Sequence, residues 1–402
     1  MATQTERRIL FVDDEQPVLN LLQVLMRRSD PGWESWFVDG GAKALQMMVA
    51  QPFDVVVSDM RMPGMNGAEF LEQVRDRHPR TARIVLSGYV DPPLTLRVLS
   101  VAHQYQAKPF TFSILQAMLS RLFALEQYLP DRPLQEVVAR THVLPTPGSL
   151  YERFTREFAS PLVRAETMGG LVSQDVALTA KLLQLANSAF FAAPRVVLTG
   201  KEAAQGLGIG PLRTLAASNQ AFWGQQPGQL AEFPLEETVK HSVAVGLRAS
   251  RIMAFERGSG DAIKAAFSAG VLHDLGKILL AVAVPEMQRL AMVRNEGEGL
   301  PLWQAEKEVV GASHAHVGGY LLGLWGLPDA IVDAVAWHHQ PRERFAAGLS
   351  PITAVHVANW IDHQSAAPSG PQPDSRLDQA YLQALNVDER HLRDWIQAAA
   401  LT

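Results

Sequence analysis

The sequence predicts two domains of different fold class, an N-terminal α/β domain with a doubly wound parallel sheet of five strands and a C-terminal all-α domain. From residue 7 to about residue 124, short apolar runs alternate with amphipathic stretches. After residue 144, helical periodicity dominates and the strand signal fades. The chain has 402 residues, of which 47% are hydrophobic, so it is long enough and apolar enough for more than one core. We therefore expect a multidomain protein.

Five apolar runs in the first region are interpreted as buried strands. The first, Arg8–Val12, is apolar on both faces and ends at an acidic pair, as expected for a strand covered by helices on both sides. The others are predicted at Trp33–Val38, Asp54–Ser58, Ala82–Ser87 and Gln104–Ala107. Helices are predicted to follow the strands at Pro17–Arg28, Ala42–Val49, Ala68–Arg77, Pro92–Ala102 and Thr111–Leu125. Five βα units with short connections predict a parallel sheet covered on both faces.

The second region carries long helical patterns and few strand signals. We divide the chain into residues 1–125 (first domain), 126–142 (linker), 143–365 (helical domain) and 366–402 (flexible segment and C-terminal helical tail). The linker contains Pro130 and Pro133 among polar residues. The clearest helices are predicted at Ala177–Asn187, Lys240–Phe255, Ala262–Val282, Leu302–Val310, His316–Leu324, Asp329–His338 and Pro351–Ile361.

The amino-acid composition excludes several classes of function. The chain contains no cysteine, which excludes disulfides, thiolate-ligated zinc, iron–sulfur clusters and a cysteine nucleophile. The charged N-terminus differs from a signal peptide, and the apolar runs are shorter than the roughly 20 residues that span a bilayer. The net charge of -5 is unlike that of a typical nucleic-acid binder. We expect a cytoplasmic protein with no membrane or nucleic-acid partner.

Five polar side chains lie at or just after the predicted carboxyl ends of strands: Asp13, Asp14, Asp59, Ser87 and Lys108. In a doubly wound sheet these ends meet at one edge, where ligands bind. Crowded carboxylates favour a bound cation, and oxygen ligands suit Mg²⁺. A lysine and a hydroxyl would bind the oxygen atoms of a transferred phosphoryl group, with Asp59 as the nucleophile. The alternative is that these are ordinary polar residues of surface loops.

These residues resemble the receiver domain of two-component response regulators. The resemblance covers about residues 7–125 and depends on the Asp13-Asp14 pair, the segment from Ser58 to Gly67 (SDMRMPGMNG), Ser87, and Lys108-Pro109. It implies a flavodoxin-like receiver fold and magnesium-dependent phosphorylation by a sensor histidine kinase. It also makes Lys108-Pro109 a candidate cis peptide bond.

The resemblance assigns a role to each site residue. Asp59 would accept the phosphoryl group, and Ser87 and Lys108 would contact it. The ligands of Mg²⁺ would be Asp14, Asp59 and the backbone carbonyl of Arg61, with Asp13 assisting. Tyr105 matches the family's switch aromatic, although ordinary packing at a sheet edge would also explain it.

Histidine is concentrated in the helical domain, where seven of the 12 histidines lie between residues 241 and 356. Neutral imidazoles and carboxylates are ligands for zinc, iron, manganese or nickel, and such an ion can activate water for phosphoester hydrolysis. The alternative is a buried hydrogen-bond network that orients helices. The candidate residues are His241, His273, Asp274, His314, His338 and His339.

The helical domain resembles the HDOD domain, a relative of the HD-type metal-dependent phosphohydrolases. The resemblance spans about residues 143–365 and depends on segments that include LPTP (144–147), SQDVALT (173–179), HDLGK (273–277) and WHHQP (337–341). HDOD domains are generally regarded as regulatory modules without established catalysis, which implies an output through protein interaction. The implied partners are a downstream signalling protein and, through dimerisation, a second copy of the chain.

Two departures from the related cyclic-di-GMP phosphodiesterases bear on catalysis. The Gly-Tyr-Pro element that follows the paired histidines in those enzymes is missing after His339. Their late aspartate ligand is replaced by Asn359, with Asp362 as a substitute one helical turn later. The resemblance therefore favours a residual metal site or none, without turnover. The alternative function is a metal-dependent phosphohydrolase acting on cyclic-di-GMP or another nucleotide.

Overall fold

The computed structural model describes residues 7–27, 32–88, 101–188, 195–217, 230, 233–344, 348–365 and 376–401. The contacts between residues divide the chain into two compact units. The first, the N-terminal unit, consists mainly of residues 1–142, and the C-terminal unit consists mainly of the residues that follow.

A five-stranded parallel sheet forms the centre of the N-terminal unit, with the strands in the order β2-β1-β3-β4-β5. Their bounds are Arg7–Val12 (β1), Trp33–Val38 (β2), Val55–Asp59 (β3), Ala82–Ser87 (β4) and Gln104–Ala107 (β5). The described helices of this unit are Gln16–Met26 (α1), Gly41–Ala50 (α2), Gly67–Arg77 (α3), Phe112–Ala124 (α4) and Arg132–Arg140 (α5).

The sheet confirms the predicted α/β class. The central strands β1 and β3 are apolar on both faces, and their side chains, such as Leu10 and Val56, are fully buried because helices cover both sides. The prediction placed a further helix at Pro92–Ala102, and nearly all of that segment lies outside the described residues.

The segment predicted as a linker contains helix α5 and packs within the N-terminal unit. The buried Arg83 of β4 donates from Nη2 to the carbonyl of Ala139, near the end of α5, over 3.0 Å. Arg83 also donates to the carbonyl of Val101 over 2.6 Å. The helix is therefore held against the amino ends of the strands, opposite the edge where the candidate acidic residues lie.

The C-terminal unit is helical throughout its described residues, as predicted. Its helices are Gly148–Ala159 (α6), Ala165–Val172 (α7), Val176–Ala186 (α8), Gly200–Leu207 (α9), Ile209–Ala217 (α10), Leu235–Phe255 (α11), Gly260–Leu272 (α12), Leu275–Ala283 (α13), Pro285–Glu298 (α14), Leu302–Val309 (α15), His314–Leu324 (α16), Asp329–Trp337 (α17), Pro351–Ser365 (α18), Gln379–Ala384 (α19) and Glu389–Ala398 (α20). Helices α11, α12, α17 and α18 pack together at its centre.

Among the described residues, the stretch Gly260–Ala283 is long and apolar enough to cross a membrane, and 83% of its apolar 18-residue window is buried inside the fold. Burial of this kind is typical of the core helices of globular domains. The prediction of one continuous helix at Ala262–Val282 is wrong in one respect: the chain leaves the helix at His273 and Asp274, between α12 and α13. After the break, Gly276 at the start of α13 lies directly against the backbone of His314, so tertiary packing holds α13 in its position.

Candidate functional site

The first candidate site lies at the carboxyl edge of the sheet. The parallel register pairs Val12 of β1 with Ser58 of β3, and Ser87 of β4 with Ala107 of β5. The residues that follow these positions therefore emerge at the same edge. Asp13 and Asp59 leave adjacent strands, and Lys108 follows β5. The structure thus brings together three of the residues that the sequence placed at one edge.

Lys108 bridges two carboxylates in this pocket. Its Nζ atom donates to Asp13 Oδ2 over 2.7 Å and to Asp59 Oδ1. Asp13 is buried, whereas Asp59 and Lys108 keep partial access to solvent. Burial by itself lowers the pKa of Lys108, but the hydrogen bonds that Lys108 donates to Asp13 and Asp59 outweigh burial, and the pKa is raised. The pocket therefore holds a charged lysine between two carboxylates.

The loop after β3 fixes the position of Asp59. The backbone N–H of Arg61 donates to Asp59 Oδ2 over 2.6 Å. The Asn66 side chain caps helix α3 by accepting from the N–H of Glu69, and the Glu69 carboxylate in turn accepts from the N–H of Asn66. A side chain at Gly67 would place Cβ 2.2 Å from the carbonyl oxygen of Asp59. Only glycine permits this close approach, which keeps the loop tight under the acidic residue.

The other predicted residues of this pocket lie as follows. Asp14 is exposed beside Asp13, and Ser87 is buried at the end of β4. Tyr105 is buried in β5 and donates to the carbonyl of Ala102 over 3.3 Å, and burial raises its pKa well above the ordinary value. The Lys108-Pro109 peptide bond is cis, as predicted.

The second candidate site is a cluster of imidazoles at the ends of several helices in the C-terminal unit, called here the histidine centre. It consists of His241 in α11, His273 and Asp274 between α12 and α13, His314 at the start of α16, and His338 and His339 after α17. The structure therefore brings together all six of the candidates. Their ligand atoms form two groups in which all atoms lie within 4.8 Å of one another: His314, His338 and His339, and His241, His273 and Asp274.

Small residues at helix crossings make this assembly possible. Helices α11 and α12 cross at Gly246 and Gly270, where a Cβ on Gly270 would lie 2.5 Å from the Cα of Gly246. A Cβ on Gly276 would lie 1.9 Å from the carbonyl oxygen of His314. The backbones therefore approach closely, and the helix ends that carry the histidines converge.

Hydrogen bonds orient three buried imidazoles in the same way. His273 Nδ1 donates to the carbonyl of Gly270 over 2.7 Å, and His338 Nδ1 donates to the carbonyl of Val335 over 2.7 Å. His314 Nδ1 donates to the buried carboxylate of Glu306 over 2.6 Å. With the proton on Nδ1, each ring keeps the lone pair of Nε2 available as a ligand.

The ligand atoms lie in the interior of the histidine centre. Asp274 Oδ1 lies 3.4 Å from Nε2 of both His273 and His314. His339 Nε2 lies 3.0 Å from His314 Nε2. Within the described residues, Asp274 Oδ1 and Nε2 of His273 and His338 are buried and have no hydrogen-bond partner. Buried polar atoms without partners are costly, and a cation between them would remove that cost.

Burial keeps three of the imidazoles neutral. It lowers the pKa of His273 to about 3 and lowers the pKa values of His338 and His339 well below their usual range. Burial alone would raise the pKa of Asp274, but His273 and Lys277 reverse the effect and hold the pKa well below its usual value. At neutral pH the centre therefore combines the neutral imidazoles of these three residues with an ionised carboxylate, as transition-metal sites require. His314 differs, because burial alone would lower its pKa but Glu306 reverses the effect and raises it.

His241 closes the centre on the side of α18. Its Nδ1 atom faces Asp362 Oδ2 at 2.7 Å, and its Nε2 atom faces Asn359 Oδ1 at 3.1 Å and Asp274 Oδ2 at 3.8 Å. Asn359 thus lies next to the ligand atoms, whereas Asp362 contacts the outer nitrogen of His241. Asp362 therefore orients a histidine in this structure and does not replace the aspartate ligand of the related enzymes.

Comparisons with known proteins give the family. The family model of the response regulator receiver domain matches residues 9–120, and that of the HDOD domain matches residues 144–341. The chain has the architecture of a receiver–HDOD response regulator. The match to the receiver model includes all five residues at the sheet edge, and the match to the HDOD model includes all six members of the histidine centre.

Relatives and solved structures are similar to parts of this chain. The hydrogenase transcriptional regulatory protein HoxA of Cupriavidus necator is 36% identical over 104 residues, which are 25% of this chain and 21% of HoxA. The crystal structure of the MmoQ response regulator of Methylococcus capsulatus has 25% sequence identity and a TM-score of 0.49, and covers 63% of this chain and 98% of that one. The structure of TrrA of Thermotoga maritima, in complex with Mg(2+)-BeF, has 29% identity and a TM-score of 0.27, and covers 29% of this chain and 97% of that one.

The curated relatives are longer than the matched segments. This chain spans 21% of HoxA and 36% of the DNA-binding transcriptional regulator NtrC of Escherichia coli, which is 25% identical over 170 residues, 40% of this chain.

Sequence reasoning missed three residues that support the HDOD histidine centre. Glu306 is fully buried and binds His314 through both its imidazole and its backbone N–H. Arg248 binds Asp362, and Gly276 permits the backbone contact with His314. An acidic residue inside the apolar pattern before His314 was the one available signal for Glu306. The other two roles depend on contacts between helices that are distant in sequence.

Proposed function

We propose that this protein is phosphorylated on Asp59 by a sensor histidine kinase and that the phosphorylated receiver acts on the HDOD domain, which signals through protein interaction. The observation that carries the proposal is the bridge from Lys108 to Asp13 and Asp59. A cation held between two carboxylates at the carboxyl edge of a parallel sheet fits an acyl-phosphate site, because the lysine is in place to pair with added phosphoryl oxygens.

The donor set fits Mg²⁺. Asp13, Asp14 and Asp59 supply hard oxygen atoms, and the loop carries Arg61, whose backbone carbonyl is the remaining proposed ligand. When bound, the ion would neutralise charge on the phosphoryl oxygens. Lys108 would exchange its hydrogen bond to Asp59 for one to the phosphoryl group, and Ser87 would contact the same group.

The transfer step is a displacement at phosphorus. A carboxylate oxygen of Asp59 forms a bond to the phosphorus atom of the phosphodonor while the bond from phosphorus to the donor breaks. With phosphohistidine, the bond that breaks is P–N and the imidazole takes up a proton. With acetyl phosphate, it is P–O and acetate leaves.

Incubation with acetyl phosphate and Mg²⁺, followed by intact-mass measurement, tests the assignment. The wild type gains one phosphoryl group, and Asp59→Asn gains none. Asp76→Asn is the matched control, because Asp76 is an exposed acidic residue of α3 in the same domain. Equal incorporation in the wild type and Asp59→Asn would show that the assignment is wrong.

For the output, we propose that phosphorylation changes dimerisation or the binding of a downstream signalling protein by the HDOD domain, in the cytoplasm. We propose residues 1–125 as the receiver, 143–365 as the HDOD domain and 366–402 as its C-terminal segment. Residues 126–142 connect the two domains, and their helix α5 packs within the N-terminal unit. Sedimentation of the wild type with and without beryllium fluoride, which mimics the phosphoryl group, measures dimerisation, and affinity capture in the two states measures the partners. An unchanged oligomeric state together with unchanged partners would contradict this output.

A second proposal concerns the histidine centre, where a specific observation favours a bound divalent metal. Three buried imidazoles direct Nε2 into the centre, and two of these nitrogen atoms and Asp274 Oδ1 have no hydrogen-bond partner within the described residues. The ligands would be His241, His273, Asp274, His314, His338 and His339. A bound divalent ion would lower the pKa of a coordinated water.

We propose that this metal serves regulation rather than turnover, because His273, His314 and His338 are completely buried. Phosphohydrolysis of cyclic-di-GMP or another nucleotide is the alternative, and the partly exposed side chains of His241 and Lys277 mark the side from which such a substrate would approach. Elemental analysis and a cyclic-di-GMP turnover assay on one sample separate the outcomes. Stoichiometric metal that His273→Ala loses, without turnover, supports the proposal; a metal-free wild type contradicts it.

A further inference from the structure

We propose that the C-terminal tail, residues 376–401, positions a ligand of the histidine centre through Arg248 and so sets the metal affinity of the HDOD domain. This inference rests on the metal centre proposed above. The tail lies beyond the part of the chain that the HDOD family model matches, residues 144–341, and thus adds an element to the centre that the family match does not include.

A continuous series of three hydrogen bonds joins the tail to His241. Arg248 Nη1 donates to the carbonyl oxygen of Ala399 over 3.0 Å, and Arg248 Nε donates to Asp362 Oδ1 over 3.0 Å. The other oxygen of Asp362 accepts from His241 Nδ1 over 2.7 Å. Arg248 is buried, so these bonds are protected from water. One arginine therefore holds both the tail and the carboxylate that orients the ligand.

The tail is anchored along the helix that carries His241. Glu256, just after α11, accepts at Oε1 from His391 Nε2 over 2.6 Å and from Trp395 Nε1 over 2.7 Å. Trp395 is almost completely buried, and Arg251 donates to the carbonyl of Ala400. Helix α20 thus packs on α11 with both an apolar contact and several hydrogen bonds, which fixes the position of the Ala399 carbonyl.

A second path reaches the centre from the other end of the tail. The backbone N–H of Asp378 donates to His356 Nε2 over 2.9 Å, and His356 Nδ1 donates to the carbonyl oxygen of His338 over 2.7 Å. The two bonds require the same tautomer of His356, with the proton on Nδ1. The fully buried Tyr381 bonds to Thr353 over 2.8 Å and holds this part of the tail on α18. The tail therefore supports the centre at two separate ligands.

The consequence for metal binding follows from the geometry of Asp362. With Arg248 on one oxygen and His241 on the other, the carboxylate cannot rotate, and the proton of His241 stays on Nδ1. His241 Nε2 is then the nitrogen directed at the centre, where it lies 3.1 Å from Asn359 Oδ1 and 3.8 Å from Asp274 Oδ2. Carboxylates that orient a metal-bound histidine contribute to affinity, and their loss typically costs about 10–100-fold. Arg248 is thus a positioning residue, because it acts through Asp362 and His241.

The test uses three full-length variants, with any affinity tag removed. Arg248→Ala removes both contacts, and Arg248→Lys keeps the charge but cannot reach Asp362 and Ala399 with two separate donors. Arg251→Ala is the matched control, because Arg251 lies one turn away and does not contact Asp362, and the bonds of His391 and Trp395 to Glu256 still hold the tail in place without it. Zn²⁺ affinity is measured by competition with a chromophoric chelator. We expect Arg248→Ala to weaken binding about 10–100-fold, Arg248→Lys to weaken it less, and Arg251→Ala to change it by less than about threefold.

A second measurement needs no metal. The imidazole nitrogen signals of His241 in ¹⁵N-histidine-labelled metal-free protein, assigned with His241→Gln, report the proton on Nδ1. We expect Arg248→Ala to shift these signals and Arg251→Ala to leave them unchanged. If Arg248→Ala does not fold, as judged by circular dichroism, Arg248→Lys carries both measurements.

The outcomes separate this inference from the metal proposal. If the wild type binds no Zn²⁺, the proposal of a metal centre is wrong. The proposal that the tail sets the metal affinity is then wrong as well, even if the nitrogen signals show that Arg248 positions His241. If the wild type binds Zn²⁺ and the Arg248 variants bind equally well, the metal centre stands and the role of the tail is overturned. Weaker binding with unchanged His241 signals would also overturn the path through Asp362.

Discussion

The two sites differ in how their ionisable groups are compensated. In the receiver pocket, Lys108 lies between Asp13 and Asp59, so the carboxylates have a cation partner within the protein. In the histidine centre, the buried ligand atoms of His273, His338 and Asp274 lack hydrogen-bond partners within the described residues. Asp274 also has a cation partner, because Lys277 Nζ lies 3.0 Å from its Oδ2 atom, but that lysine does not reach Oδ1 or the two imidazole nitrogens. The lone pairs left uncompensated in the histidine centre suit a resident cation, whereas in the receiver pocket Lys108 already compensates both carboxylates.

The two sites also differ in how the chain builds them. The receiver residues follow adjacent parallel strands and so lie at one edge of the sheet. The register of the strands is therefore almost enough to bring these residues together. The histidine centre needs helices that meet end to end, with glycine at the points of closest approach. Disturbing the backbone contacts should therefore affect the second site at least as strongly as the first.

The largest expected effect is on stability, from alanine at two glycines that contact a site backbone. In Gly276→Ala the new Cβ would lie 1.9 Å from the carbonyl oxygen of His314, and in Gly67→Ala it would lie 2.2 Å from that of Asp59. Backbone atoms cannot move aside as a flexible side chain can, so we expect each change to cost its own domain about 3–5 kcal/mol in free energy of unfolding. Denaturant unfolding followed in each domain measures it.

Gly297→Ala is the control for this pair. No atom lies within 4 Å of the new Cβ, and the residue is within helix α14, where alanine is favoured over glycine by about 1 kcal/mol. We expect a small gain in stability. A Gly276→Ala variant as stable as the wild type would contradict the close contact of α13 with α16.

The next expected effect is on the pH dependence of stability. It concerns Asp175, a buried carboxyl group of the HDOD domain. Burial raises the pKa of Asp175 to about 7, although the N–H of Leu178 partly offsets it. Because the folded state then binds more protons than the unfolded state between about pH 4 and pH 7, this residue's contribution to stability is complete below pH 4 and is lost as the pH rises to 7. Three pKa units correspond to an upper limit of about 4 kcal/mol, and we expect about 2–4 kcal/mol.

Asp175→Asn isolates this contribution, because asparagine keeps the cap on the N–H of Leu178 and cannot ionise. The difference in unfolding free energy between wild type and variant should change in favour of the variant from pH 4 to pH 7. A difference that does not vary with pH would show that Asp175 titrates normally.

A smaller effect is expected on metal affinity, from the hydrogen bond between Glu306 and His314. Glu306→Gln keeps the shape of the side chain but removes the carboxylate that fixes the Nδ1 proton, so Zn²⁺ affinity should fall about 10–100-fold. Glu308→Gln is the control, since Glu308 is exposed on the same α15 helix and pairs with Arg294. Chelator competition measures both. Equal losses in the two variants would place the effect in α15 as a whole rather than in the contact with His314.

The smallest expected effect is at a partly exposed pair in the receiver. Arg7 donates two hydrogen bonds to Glu126, over 2.6 and 2.7 Å, but 43% of the Glu126 side chain is exposed. Solvent screening limits such pairs to a coupling energy of about 0.2–1 kcal/mol. A double-mutant cycle with Arg7→Ala and Glu126→Ala measures it. A coupling of 3 kcal/mol or more would mean that exposed charge pairs in this domain behave like buried ones.

Much of the receiver fold could be predicted because the sequence patterns that indicate its strands are short and continuous along the chain. Each strand is a short apolar run, and the residues at its carboxyl end meet their neighbours through sheet register alone. The position of Asp59 follows from the same local pattern, whereas the cis bond before Pro109 was expected from the resemblance to the receiver family. The bridge from Lys108 to Asp13 is not local, since 95 residues separate the two, but the parallel topology makes it the expected contact.

In the HDOD domain the sequence determined less. It identified the six residues of the histidine centre by type and by their resemblance to a family, because imidazole and carboxylate groups are rare inside apolar helices. It did not predict the break in the helix at His273, the buried Glu306 or the path from Ala399 to His241. These depend on the angles at which helices cross and on which backbones touch. Helical periodicity determines which face of a helix is buried. Only tertiary packing decides which helix ends lie opposite each other. Because the hydrogen-bond partners of each histidine come from those neighbouring ends, tertiary packing also decides which of its nitrogen atoms carries the proton.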